Sequence, residues 1–179
     1  MVDNLGWESI LKKMLRKAIV ILIVVLLAFP VLAKLSFEIG EPVPVFELPA
    51  LNGKIVSSDK VLGKNATVLY FFTSWSRSCQ NEVLFLKDLY KEYNNDGLEI
   101  VGISFDRKLE NLASFINENG ITFALLHDKK LKTIKDFRIL IIPTLFVLDQ
   151  AGNINNLYVD FDQNVAEAIT KDIKKLLVP

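Results

Sequence analysis

Residues Thr67 to Thr73 (TVLYFFT) form an unbroken apolar run rich in β-branched and aromatic side chains. Such a run fits a central strand covered on both faces, because alternation would be expected if one face met water. The elements around it follow in order. A helix after residue 76 places Val83, Leu86, Leu89, Tyr90 and Tyr93 inward and ends at Asn95-Asp96-Gly97. Leu98 to Phe105 (LEIVGISF) is a second buried strand, and the next helix turns Leu109, Leu112, Phe115 and Ile116 inward before Gly120 stops it. Strand, helix, strand, helix is the rhythm of a parallel-sheet unit with right-handed crossovers.

The flanks complete the sheet. Gly40 to Pro49 is proline-rich and extended, and Leu51-Asn52-Gly53-Lys54 makes a turn into Ile55-Val56. Phe123 to Leu126 is a short strand and Leu131 to Phe137 a short helix. Thr144 to Leu148 and Ile154 to Val159 form a hairpin around Gln150-Ala151-Gly152-Asn153. A last helix carries Val165, Ile169, Ile173, Leu176 and Leu177 on one face. At 179 residues there is room for one such core and a short appendage. The expected fold class is α/β, a mixed central sheet flanked by helices.

The appendage is N-terminal. Ala18 to Ala33 (AIVILIVVLLAFPVLA) carries no charge and follows Lys12, Lys13, Arg16 and Lys17. Positive then apolar is the order of a signal peptide or signal anchor, which leaves the basic end cytoplasmic and exports the chain beyond Lys34. As a helix the run spans roughly 24 Å against a hydrocarbon core of about 30 Å, so it anchors with help from snorkelling lysines. Val31-Leu32-Ala33 also offers a cleavage site, which would release the domain. Retention is favoured by Trp7, Ile10, Leu11, Met14, Leu15 and Ala18, which recur at helical spacing opposite the basic residues. The expected division is therefore a lead-in and signal-anchor helix over 1–33, a linker over 34–45 and the folded domain over 46–179.

Charge and composition narrow the function. The whole chain is formally neutral, and the part after Lys34 is slightly acidic once the basic cluster is set apart. That gives no electrostatic footprint for nucleic acid. Cys79 and His127 are the only residues of their kinds, so a zinc site of four cysteines, or of two cysteines and two histidines, is excluded, and no metal or other cofactor is expected. His127, at a strand end, reads as a surface loop residue.

The chemistry-bearing segment lies between the central strand and the first long helix: Thr73-Ser74-Trp75-Ser76-Arg77-Ser78-Cys79. Ile142-Pro143-Thr144 precedes a later strand, and FVLDQAGNI follows it. Together these resemble the thioredoxin superfamily, whose active site is W-C-x-x-C at this junction and whose cis-proline loop precedes this hairpin. The hydrophobic export segment, the LNGK turn and the C-x-x-E spacing of Cys79 and Glu82 make the chain most similar to the TlpA/ResA type of membrane-tethered thiol-disulfide oxidoreductase. By that resemblance Ser76 stands where the nucleophilic cysteine belongs, and Cys79 occupies the resolving position.

Several expectations follow. A hydroxyl with no adjacent base is not ionised near neutral pH, so the dithiol cycle cannot run within this chain. Ser76 suits a helix N-cap, worth about 1 kcal/mol. Cys79 is either a small buried hydrophobe or a lone reactive thiol aided by the helix N-terminus and Arg77. Trp75, Arg77, Ile142 and Pro143, taken as cis, would contact the partner, which the resemblance implies is a cysteine-containing or extended segment of an exported protein. Tyr70 stands where thioredoxins often carry a buried acid, so that proton acceptor is expected to be missing. The spacing Ser76-Arg77-Ser78-Cys79 also resembles the T/S-x-x-C of peroxiredoxins, although their loop proline is Phe72 here. The expected function is therefore a redox-impaired domain that acts by docking or by single-thiol chemistry through Cys79, and the alternative is a single-cysteine thiol peroxidase.

Overall fold

The computed structural model describes residues 12–20 and 37–178. Residues 12–20 are helical (α1), and most of the apolar run expected to anchor the chain lies outside the described residues. No helix among the described residues is long and apolar enough to cross a membrane. The chain divides into two compact units, Met1–Phe37 and Glu38–Pro179, and the second holds the sheet.

The second unit is thioredoxin-like. A hairpin of β1 (Glu47–Pro49) and β2 (Ile55–Ser57) leads through α2 (Ser58–Val61) into β3 (Ala66–Phe72). Helix α3 (Arg77–Tyr93) and a 3-10 turn (Asn94–Asp96) connect to β4 (Leu98–Ser104), and α4 (Leu109–Asn119) connects to β5 (Ala124–His127). Helix α5 (Lys132–Asp136), β6 (Thr144–Leu148), β7 (Ile154–Val159) and α6 (Gln163–Leu177) complete the unit. The five-stranded sheet runs β5-β4-β3-β6-β7. β3 pairs parallel with β4 and antiparallel with β6, which makes the sheet mixed with β3 at its centre.

The continuous apolar pattern of β3 is explained by this position, since all seven of its residues are buried. Val68, Tyr70 and Phe72 pack with Val83, Leu86 and Leu89 of α3 and with Ile169 and Ile173 of α6. Phe71 points the other way, its ring centroid 4.9 Å from that of Phe137 and 5.9 Å from that of Phe146. Gly102 in β4 permits this layering, because a Cβ there would run into the Leu125 side chain. Gly120 ends α4 in the left-handed conformation, φ 61°, as a stop glycine should.

The stretch expected to be a linker is tied down from residue 40 onward. Gly40 N–H donates to the Ile154 carbonyl at 2.7 Å, Ile154 N–H to Glu41 at 2.8 Å and Val43 N–H to Gly152 at 3.4 Å. Val43 is buried. Residues 40–43 are thus hydrogen-bonded to the β6–β7 turn and fall within the compact unit Glu38–Pro179.

Candidate functional site

β3 delivers the chain to the site and α3 carries it away. Thr73 and Ser74 are buried directly after β3, Trp75 is 71% exposed, and Ser76 occupies the N-cap of α3. The loop is held from beneath. Asp106, just beyond β4, is buried, and its carboxylate accepts from Ser74 N–H (2.9 Å), Ser74 O–H (2.9 Å) and Ser104 O–H (2.7 Å). Gln80 Nε2 donates to the Ser74 carbonyl at 2.8 Å. Ser74 is thus fixed through its N–H, hydroxyl and carbonyl, and the exposed Trp75 stands on a rigid support.

His127 belongs to this support, which corrects its placement on a surface loop. It is the last residue of β5, it is buried, and its Nε2 lies 2.7 Å from the Asp106 carbonyl. A carbonyl only accepts, so Nε2 carries the proton in this bond. A polar residue at the carboxyl end of a sheet strand can face inward to a loop carbonyl, and the sequence has no mark of that.

Ser76 sits at the N-cap, but its side chain makes no capping hydrogen bond. The expected capping energy is therefore not realised in that form. Its hydroxyl instead interacts with the Cys79 thiol. Cys79 is free and fully buried, one turn into α3. Burial pushes its thiol above the usual range and the Glu82 charge adds to the rise, while the nearby Ser76 hydroxyl, Thr73 backbone and Tyr70 hydroxyl pull the other way. Arg77 is exposed and is not among the groups acting on the thiol, so the aid expected from it is not found.

The buried acid expected to be missing is present, supplied by the helix instead of the strand. Glu82 lies three residues after Cys79 on the inward face of α3, is 1% exposed, and neither carboxylate oxygen has a hydrogen-bond partner among the described residues. Burial pushes its carboxyl up to about 8, and the charge of Asp160 adds to the rise while the Tyr70 hydroxyl tempers it. Tyr70 therefore does not stand in for an acid. Its O–H donates to the Cys79 carbonyl at 2.8 Å and ties β3 to the first turn of α3. A signal for Glu82 existed: Cys79, Glu82, Val83 and Leu86 share the spacing of one helical face, so the glutamate had to point inward with its neighbours.

Pro143 is buried, and the Ile142–Pro143 peptide bond is cis. Ile142 is half-buried, while Leu140 and Ile141 before it are 95% and 59% exposed. Across from this loop, Asp160 follows β7 with a left-handed backbone, φ 63°. Its N–H donates to the Pro143 carbonyl at 2.9 Å, and its Oδ1 accepts from the Ser78 hydroxyl at 2.9 Å. Asp160 thus joins the Pro143 loop to α3. Nothing between Val159 and Phe161 in the sequence marks it.

Chemically the site offers one protected thiol, one neutral buried carboxyl within its helical neighbourhood and a hydroxyl in place of a second thiol. With Cys79 as the one cysteine of the chain, no intramolecular disulfide can form.

The family model described as "AhpC/TSA family" matches residues 39–157. The thiol-disulfide oxidoreductase ResA of Bacillus thuringiensis (strain Al Hakam) is 29% identical over 121 residues, 68% of this chain and 69% of that protein. The thioredoxin-like protein YneN of Bacillus subtilis (strain 168) is 29% identical over 129 residues, 70% of this chain and 74% of its own length. Among solved structures, a thiol:disulfide interchange protein of the thioredoxin family from Chlorobium tepidum TLS superposes with a TM-score of 0.68 at 26% identity, covering 79% of this chain and 99% of that one. StoA from Bacillus subtilis gives a TM-score of 0.60 at 26% identity, with 72% and 96% covered.

Proposed function

The chain belongs to the AhpC/TSA family, and from that premise we propose that it is an exported, membrane-tethered relative of the ResA-type thiol-disulfide oxidoreductases whose own dithiol cycle is disabled. It docks extended or cysteine-containing segments of exported proteins beside Trp75, Arg77, Ile142 and Pro143, and Cys79 is its only thiol. Residues 18–33 are its anchor, placing the domain on the extracytoplasmic side. The observation that carries this reading is the pair at the start of α3: Ser76 at the N-cap and the sole cysteine, Cys79, buried one turn further in. The first position is where helix-terminal N–H groups stabilise a thiolate, and a hydroxyl there stays protonated.

The peroxidase alternative gains nothing from this geometry. Peroxide chemistry needs a reachable, low-pKa thiolate. Cys79 is fully buried and its thiol is raised.

Ser76→Cys tests the proposal. Wild type should show no disulfide reductase turnover with dithiothreitol, whereas the folded variant should gain turnover and form a 76–79 disulfide on mild oxidation, seen by mass as the loss of two hydrogens. A folded variant that forms no such disulfide would place the two Cα atoms beyond about 7 Å and sink this reading of the site.

A further inference from the structure

Resting on the docking reading above, we propose that the segment received at the Pro143 loop carries a lysine or arginine whose cation pairs with Asp160. The loop that would receive the segment and the carboxylate are directly joined, since Asp160 N–H donates to the Pro143 carbonyl. Asp160 is exposed. Its Oδ1 is occupied by Ser78 O–H and Phe161 N–H, each at 2.9 Å, and Oδ2 accepts from no described residue. No salt bridge links Asp160 to a cation among the described residues, even though Arg77 begins the helical turn that Ser78 shares.

The carboxylate is held in place rather than swinging free. A non-glycine residue with a left-handed backbone costs about 1 kcal/mol or more, and three hydrogen bonds hold this one there. Trp75, three residues before the Ser78 that binds Asp160, and Leu140 and Ile141, just ahead of the Pro143 that Asp160 also binds, are apolar and exposed. A pre-positioned charge at the rim of an apolar platform selects a partner with apolar side chains and one cation.

The groups facing the buried Glu82 in this arrangement are Tyr70 from β3, Cys79 from α3 and Asp160 from beyond β7. The negative charge of Asp160 favours the protonated form of Glu82. A cation seated on Asp160 screens that charge, so docking promotes release of the Glu82 proton to solvent. By linkage, ionised Glu82 favours the cationic segment in return.

The probes are valine–alanine heptapeptides in which a single lysine is moved along the chain, compared with the same series carrying norleucine. Binding to the full-length protein is read from tryptophan fluorescence, and the Glu82 carboxyl is followed by carbon NMR against pH. At one position or more, lysine should bind about two- to fivefold tighter than norleucine, as for an exposed ion pair. That preference should vanish in Asp160→Asn and shrink with salt, and the lysine peptide should move the Glu82 midpoint to lower pH. Asp160→Gly, which keeps the left-handed backbone, serves if the asparagine variant does not fold. Equal binding of the two series at every position, or a lysine preference that survives in the variants, overturns the proposal while leaving docking intact. Binding of neither series to the folded wild type removes the docking reading and this inference with it. Self-association abolished by Asp160→Asn, with no peptide preference, would assign the carboxylate to a second copy of the chain and also overturn the proposal.

Discussion

Replacing Glu82 with glutamine removes one ionisation and leaves the side-chain shape almost unchanged, so its effect should appear in the pH dependence of stability. In the folded chain the carboxyl titrates at about 8, against an ordinary value of 4.5. Between those limits the native state binds more protons than the unfolded state, and stability must fall as pH rises. The stabilising contribution is complete below pH 4.5 and lost by the time pH has passed 8. At 1.36 kcal/mol per pH unit the whole interval corresponds to about 5 kcal/mol, and between pH 5 and 8 the expected loss is roughly 3 kcal/mol. With a urea slope of about 1–3 kcal/mol per molar, the wild-type midpoint should drop by roughly 1–3 M over that range. Glu82→Gln should lack this component, whatever fixed cost its unpaired amide imposes at every pH. Urea titrations at half-unit pH steps, followed by circular dichroism, make the comparison. Parallel pH curves for the two proteins would mean that Glu82 ionises as an ordinary carboxyl, and the account of a buried acid beneath Cys79 would be wrong.

Two further outcomes are expected. Asp106→Ala should cost about 2–4 kcal/mol, because it strands the Ser74 N–H and hydroxyl in a buried setting; denaturant midpoints give the cost, and an unchanged midpoint would remove the support assigned to Trp75. A reporter that is active only in the cytoplasm, fused after residue 179, should be silent if residues 18–33 export the domain, and an active fusion would overturn that topology.

The sequence made the sheet legible because its strongest signals are two-sided burial and helix stops. The TVLYFFT run could sit nowhere but at the centre, and Gly97 and Gly120 end their helical segments as expected. The site was legible in its frame, with Ser76, Cys79 and Pro143 at their junctions, and less so in its electrostatics. Glu82 carries a polar letter on an apolar face, and a one-dimensional reading treats the letter as solvent-seeking. His127 and Asp106 find each other across neighbouring strand ends, 21 residues apart, and no local pattern encodes that pairing. Asp160 is positioned by a backbone conformation that glycine usually adopts, so its residue type conceals its role.

The bonds from Gly40, Glu41 and Val43 to the turn between β6 and β7 have a mechanical consequence. β6 begins beside Pro143 at Thr144 and ends at Leu148, so that turn lies at the pole of the sheet opposite the site, about 15 Å away along the strand. Tension applied through the segment before Glu38 would first load the hydrogen bonds to Gly152 and Ile154 and would peel that corner. The Pro143 loop and the first turn of α3 stand outside that line of pull, so their hydrogen bonds would stay unloaded while that corner gives way.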